Sequence, residues 1–467
     1  MPRVDNLLLV HFFMDNFLLC GIINNEKVDE VIPLELVELK EKEYEKFMTE
    51  NKEKSHFLQS YMWGEFSKKK KKLTPYYLGL RDNNKLVATA LLLQKKLPLG
   101  YSYFYSPRGF IIDYLDKDLL SEFTSKIKNY IKSKKSIFLK IDPPIIIRRE
   151  NYLGEEQKLD YEVDTIFDNL TKIGFKHQGF TKNFETMQPR YTFRIDLEKT
   201  QEEIDSHFSK TTKQRIQKAI RLGTKVRIGT EKDIDIFYNL MLLTEDRKDF
   251  VSYSKDYYEE LYSIFNKNDN VKLFIGYLDL DEIISRLKEE KEEMKSKIEN
   301  IDPNTSSKNG KRKLKEYKTA LESLEKEIEK YQEAKKKYGK TIHLNAHMII
   351  LYHDKAWVLY AGNHNVLTES YANYHTYYEH IKYCKEKNIK IYDQFGTIGD
   401  LNKNNKRLGL HEFKKKFGGD YVEFIGEFDY ITNHFMYFVF TKLVPLYRKL
   451  IRLKSKKEVN HEVKTNK

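Results

Sequence analysis

Leu314-Lys315-Glu316-Tyr317-Lys318-Thr319-Ala320-Leu321-Glu322-Ser323-Leu324-Glu325-Lys326-Glu327-Ile328 is the stretch that organises the chain. Its apolar residues recur at alternating steps of three and four, and the pattern runs on to Tyr331 and Tyr338 with a gap at Lys335. That spacing is the a/d seam of a coiled coil. The preceding segment repeats it at Ile284, Leu287, Met294, Ile298 and Ile301, with a gap at Lys291. Pro303 through Gly310 breaks both patterns. Two seams separated by a turn predict an antiparallel helical hairpin over residues 279–339. The flanks, Lys272 to Leu278 and His347 to Tyr352, read as strands. The hairpin is therefore expected as an arm inserted between two neighbouring strands of one sheet, at an exposed loop.

Working outward, residues 191–278 and 340–440 form one unit around the arm. Thr192 to Leu197 alternates as a strand. Gln201 to Leu222 reads as one basic helix closed by Gly223. Ala356 to Ala361 and Ile389 to Phe395 read as strands, with a helix over Tyr371 to Asn388 between them. Residues 34–190 form a second α/β unit. In it, Tyr76 to Leu80 and Val87 to Gln94 are strands joined at Asp82-Asn83-Asn84, and Leu119 to Ser133 is a helix. Ser136 to Ile141 is a strand stopped at Asp142-Pro143-Pro144. Residues 1–33 are an apolar extension interrupted by His11, Asp15 and Asn16, too short for a clean span. It reads as a membrane-surface segment or an upstream extension, with a secretory signal third. Residues 441–467 are a basic tail. The aromatic run from Phe435 that leads into it suits either a membrane surface or a core-docked terminal helix.

The chain has 467 residues, enough for two to four units, and 33 Tyr and 28 Phe supply much of its apolar surface. The formal charge of +13 fits a polyanionic partner but equally a Lys-rich solvated surface. Cys20 and Cys384 have no CxxC or Cys/His ligand spacing, which points to a reducing compartment. His343 and His347 lie four apart on a segment that reads as a strand, where that spacing is not a metal pair. No GxGxxG, Walker or GxSxG motif occurs.

Four stretches carry the functional reading. They are Gln59-Ser60-Tyr61-Met62-Trp63-Gly64, Ser106-Pro107-Arg108-Gly109, Tyr392-Asp393-Gln394-Phe395-Gly396, and Phe413-Lys414-Lys415-Lys416-Phe417-Gly418-Gly419, the last followed by Ile425-Gly426-Glu427. In this order, together with the arm, the chain resembles the FemABX family of peptidoglycan interpeptide-bridge aminoacyltransferases over roughly residues 34–445. The resemblance implies an α/β (α+β) fold of two tandem GNAT-like acyltransferase domains with an inserted antiparallel coiled-coil arm. It implies transfer of Gly, Ala or Ser from an aminoacyl-tRNA to an amine of the stem peptide on lipid II or a UDP-linked muramyl pentapeptide. The aminoacyl-tRNA is a co-substrate and no cofactor is expected. The implied place is the cytoplasm, at the inner face of the plasma membrane. An aminoacyl ester is already activated, so positioning and oxyanion stabilisation suffice and no triad is required.

Residue roles follow from the same resemblance. Lys414 is the lysine expected to meet the tRNA end or the developing charge. Its alternative is one solvated member of Lys414-Lys415-Lys416. Glu427 is the carboxylate expected beside the acceptor peptide, and Asp142 the one expected to orient the acceptor amine or take its proton. For these two the alternatives are a strand-edge charge and a turn-forming Asp. Tyr257 and Tyr360 fall where substrate-lining tyrosines are expected, with core packing as the competing reading. The diphosphate contacts depart from the family pattern: Ser67 stands near the usual lysine, leaving Lys68 one residue on, and Arg247 lies six residues before Tyr253, which falls near the expected arginine. Lys213, Arg215, Lys218 and Arg221 put a basic stripe on a helix that suits RNA or a lipid diphosphate. A non-catalytic RNA- or membrane-binding protein of the same fold, and a CoA-dependent N-acyltransferase, are the alternatives.

Overall fold

A computed structural model of the chain describes residues 34–245, 251–302, 307–444 and 446. The apolar extension 1–33, Arg247 and most of the basic tail lie outside the described residues.

Two mixed sheets are built on one plan. In the first, β1 (Glu35–Glu38), β2 (Thr74–Asp82), β3 (Lys85–Lys96) and β4 (Ser102–Ser106) form an antiparallel meander. The helix Lys117–Ser133 then crosses over to β5 (Ser136–Ile141), which pairs parallel to β4. The second sheet begins with β6 (Ile146–Glu150) at its edge. β7 (Phe175–His177) returns to the first sheet. β8 (Tyr191–Asp196) enters the second sheet. Its meander is β9 (Thr224–Gly229), β10 (Val271–Asp279), β11 (Thr341–Tyr352) and β12 (Lys355–Asn363). The helix Ala372–Glu386 crosses over to β13 (Ile391–Asp393), parallel to β12. So 1-2-3-4-5 in one sheet and 9-10-11-12-13 in the other follow the same path. A crossover helix is what a parallel strand pair requires.

The arm consists of the helices Leu280–Glu299 and Lys308–Tyr338, between neighbouring strands β10 and β11 as the seam pattern predicts. At the matching point of the first sheet, β2 and β3 join through Asn83 and Asn84, both with positive φ, as a tight hairpin turn asks. At the arm's root Ile284, Leu287, Ile328 and Tyr331 are buried against Leu278, Ile342 and Leu344. The expected basic helix is two helices, Gln201–His207 and Lys210–Arg221. Phe208 is extended, and Ser209 caps the second helix by accepting from Thr212 N at 3.1 Å. A serine cap in mid-pattern outweighs the helical periodicity around it.

The chain changes sheet twice near its functional motifs. After β5 and Asp142-Pro143-Pro144 it leaves the first sheet and forms β6, which pairs with β14 (Asp420–Phe424). After β14 it crosses back through Ile425-Gly426-Glu427 to β15 (Phe428–Ile431), which pairs with β5 and β7. The sequence placed 146–150 with the first unit and 428–431 with the second; hydrogen bonding puts each strand in the opposite sheet. The two crossovers touch, with Ile425 N donating to Ile145 O at 2.8 Å. A shared core of Phe57, Trp63, Leu91, Phe237, Tyr258, Met348 and Trp357 fills the space between the two units. The described end of the chain docks on the first sheet: Phe440 lies against Tyr103 and Phe138, and Tyr437 donates to Asp429 at 2.8 Å.

Candidate active site at the seam of the two sheets

The four motifs meet in pairs. Gln59, from the first, donates through Nε2 to the carbonyls of Arg108 (2.8 Å) and Gly109 (3.1 Å) in the second. Arg108 sits at φ 56 and Gly109 at φ 69, a strained turn that this buried amide holds in place. The third and fourth meet through Lys414. Its Nζ donates to the carbonyls of Gln394 (2.7 Å), Phe395 (2.6 Å) and Gly396 (2.7 Å). Three acceptors take all three N–H bonds of an ammonium group. Burial pulls this amine down to about 7, against the opposing pull of Asp393. Lys414 is thus a buried clamp on the loop after β13, on the helix Leu408–Lys415, and not one of a solvated lysine run. The Gly-Gly that follows serves close approach: Gly418 has φ 69, and a Cβ there would stand 2.4 Å from His207 O.

Asp142 and Glu427 are brought together on the two crossovers. Both are buried and line one crevice, too narrow here for a water-sized group, with Arg108, Pro143, Gln188, Arg190, Phe424 and Gly426. Asp142 Oδ1 accepts from Arg108 N (2.7 Å) and from Tyr105 Oη (3.1 Å). Its Oδ2 makes no hydrogen bond among the described residues, with Arg108 Nη1 at 3.8 Å. Burial pushes this carboxyl up to about 7. Nearby Glu427 adds to the rise, and Arg108 and the two hydrogen bonds hold it back. Glu427 accepts from Lys140 Nζ (2.7 Å) and Met187 N (2.5 Å), and Lys140 also meets Asp429 at 2.9 Å. Arg190 is buried too, donating to Glu423 and to the carbonyls of Thr181 and Phe424.

Lys414 reaches this crevice through its loop. Gly396 is so close under Pro189 that a Cβ would meet it at 2.6 Å, and Pro189 O accepts from Arg108 Nη2 at 3.3 Å. The other named residues form a second cluster. Tyr257 and Tyr360 meet Oη to Oη at 3.0 Å, and Tyr253 stacks on Tyr257 at 3.9 Å. Burial raises both Tyr257 and Tyr360 above the ordinary phenol range. Phe66 packs edge-on against Tyr257, so the helix Tyr61–Lys71 adjoins this cluster. Lys68 is exposed on that helix, beside Lys69 and Lys70, which pair with Glu260 and Asp256.

Sequence reasoning missed four contributors. Arg108 lies in Ser106-Pro107-Arg108-Gly109, but its ion pair with Asp142 depends on the turn's shape. Lys140 and Arg190 carry no motif signal. Lys71, 4.2 Å over the Trp63 ring and pulled down to about 8 by burial, is hidden in a run of identical residues. A wider open groove of about 700 Å³, lined by Lys40, Glu45, Met62 and Tyr352 among others, contains none of Asp142, Glu427, Lys414, Tyr257, Tyr360 and Lys68.

The chain is 28% identical over 381 residues to the lipid II:glycine glycyltransferase of Staphylococcus epidermidis, covering 80% of this chain and 88% of the relative. It is 27% identical over 419 residues to that of Staphylococcus aureus strain USA300, covering 86% and 96%. The crystal structure of FemX superposes with a TM-score of 0.71 at 26% identity, covering 86% of this chain and 98% of that one. The FemAB family is matched over residues 39–444, nearly the whole described fold, and this chain is a member of it.

Proposed function

We propose that this protein transfers glycine from a glycyl-tRNA to an amine of the stem peptide of lipid II, as a step in building the peptidoglycan interpeptide bridge. Family membership and the relatives named lipid II:glycine glycyltransferase support the acceptor and the amino acid. The observation that carries the reading is Asp142: a buried carboxyl near neutrality, with one oxygen left without a hydrogen bond in the crevice it shares with Glu427.

The chemistry is aminolysis of an ester. The acceptor nitrogen attacks the aminoacyl carbonyl, the C–N bond forms, and the ester C–O bond to the tRNA breaks. The crevice widens to admit the nitrogen, which gives a proton to Asp142, and the departing ribose oxygen takes one up. A carboxylate near neutrality is matched to this task. Holding the two substrates side by side removes up to about 7–11 kcal/mol of barrier in well-oriented systems. In this reading Glu427, fixed by Lys140, borders the acceptor peptide, and the loop clamped by Lys414 borders the donor. The Tyr257–Tyr360 cluster, with Lys68, lines the approach for the acceptor, and Arg247 is assigned to its diphosphate. No helix among the described residues is long and apolar enough to cross a membrane. The exposed Phe435 and Phe438 suit a protein that works at the membrane face, where lipid II is held.

Purified protein, lipid II and glycyl-tRNA test the reading by mass spectrometry. Lipid II heavier by one glycine is expected; unmodified lipid II with glycyl-, alanyl- and seryl-tRNA alike refutes it. Product formed from an acyl-CoA without tRNA would move the protein to another donor class.

A further inference from the structure

We propose that the terminal helical segment is a docking face for an anionic lipid bilayer, an assignment that rests on the acceptor being lipid-linked. The segment is the helix His434–Phe438, continued by a π-helical turn over Val439–Leu443. Its inner side is anchored: Tyr437 and Phe440 pack on Phe138 of β5, and Phe440 also meets Tyr103 of β4. Its outer side is left to solvent. Phe435 is 73% exposed, Phe438 54%, Leu443 45% and Leu446 54%. Lys442 is exposed among them. Large apolar side chains grouped on the surface in this way mark an interface.

A second apolar group stands at the same corner. The turn between β3 and β4 holds Leu99 at φ 61 and leaves it 87% exposed. A position of that conformation ordinarily takes glycine or asparagine, so folding does not call for leucine there. Leu97 N donates to Tyr101 O at 2.8 Å and closes this turn two residues from Tyr103, the ring that Phe440 covers.

The charge around both groups selects an anionic surface. Residues opposite each other in an antiparallel pair share one face of the sheet. Lys95 stands opposite Tyr103 and Lys176 opposite Asp429, so both lysines lie on the segment's side of the first sheet, one to each side of it. Lys135 is exposed beside the Leu99 turn, its Nζ 3.8 Å from the place of a Cβ on Gly100. No Asp or Glu occurs in residues 85–112, 123–141 or 430–457, which supply β3, the Leu99 turn, β4, β5 and the docked segment. The acidic group that the segment does touch, Asp429, is buried and paired with Lys140. Aromatic and leucine side chains with a lysine rim suit the headgroup boundary of an anionic membrane. The seat also adjoins the crevice. Tyr437 Oη donates to Asp429 at 2.8 Å, Asp429 pairs with Lys140, and Lys140 holds Glu427 at 2.7 Å. Phe138 and Asp142 are four residues apart along one strand and its end, roughly 13 Å. A bilayer on this segment therefore covers the sheet face that leads to Glu427.

The test is co-sedimentation of the full chain with vesicles of phosphatidylcholine, alone or mixed equally with phosphatidylglycerol, without substrate. The wild type is expected to bind the mixed vesicles about tenfold or more tightly than the neutral ones, and to lose that margin in high salt. The double variant Phe435→Ser with Phe438→Ser is expected to bind them about tenfold or more weakly, with an unchanged urea midpoint because both rings are exposed. Lys442→Gln is expected to weaken binding about fivefold. With lipid II in the mixed vesicles, the double variant should raise KM about tenfold and keep kcat. A short-chain, water-soluble lipid II analogue should serve it as well as the wild type. Equal binding of the mixed vesicles by all three proteins, or equal binding of both vesicles by the wild type, overturns the assignment. So does a wild type that sediments as a dimer which the double variant splits, since the occupant is then a second copy. A wild type that transfers glycine and ignores vesicles removes the surface and leaves the proposed reaction standing; one that binds vesicles and transfers no amino acid does the reverse.

Discussion

At the scale of single residues, the proposed transfer turns on Asp142 and Lys414. The Asp142 carboxyl titrates near 7, so its proton-accepting form grows as pH rises through that value. The rate of transfer is expected to show an acidic limb near pH 7, and Asp142→Asn to lower the rate and remove that limb. A pH–rate profile of both proteins checks this. Stability runs the other way. The folded value lies above the unfolded one of about 3.9, so this group's contribution is present below about pH 4 and lost as pH rises through 7. Asp142→Asn should therefore gain stability relative to the wild type between pH 5 and 8 in urea melts. Lys414→Met leaves three carbonyls without their donor. A loss of about 2–4 kcal/mol in urea unfolding is expected, with transfer reduced. Lys414→Arg should not restore activity, because a planar fork cannot place three N–H bonds on three converging carbonyls. Lys414 was legible as special from its place in a motif. Its burial was not, because two identical neighbours hide it and only the fold turns one of them inward.

At the scale of elements, periodicity served well where one pattern ruled. The arm's helices and its two flanking strands follow directly from apolar spacing, because each apolar step faces either the partner helix or the sheet. It failed where a cap interrupts a pattern, as at Phe208 and Ser209. Ser209→Ala should cost about 1 kcal/mol in urea unfolding by loss of that cap; an unchanged midpoint would contradict the break described here. The arm itself is separable in principle, since Asp279 pairs with Thr341 as Asp82 pairs with Lys85 across a two-residue turn. Replacing residues 280–340 with Asn-Gly should leave cooperative unfolding in a calorimeter, at a lower Tm because Leu278, Ile342 and Leu344 lose their cover. The KM for lipid II should hold, because Asp142, Glu427 and Lys414 all lie outside the arm.

At the scale of the whole molecule, the seam is what no local pattern shows. Short strands such as Ile146–Glu150 and Phe428–Ile431 carry the same β signal whichever sheet they join; long-range pairing alone decides it. Yet that exchange is what sets Asp142 beside Glu427, since each stands on a crossover. The repeated path of the two sheets was implied by the resemblance and is visible in the strand order. The proposed transfer requires that the acceptor amine be delivered to this seam. A lipid II analogue carrying a photoreactive group in place of that amine tests it most directly, with irradiation followed by peptide mapping. Cross-links within residues 140–145 and 424–429 are predicted. Cross-links confined to the open groove around Lys40, Glu45 and Tyr352 would contradict the account.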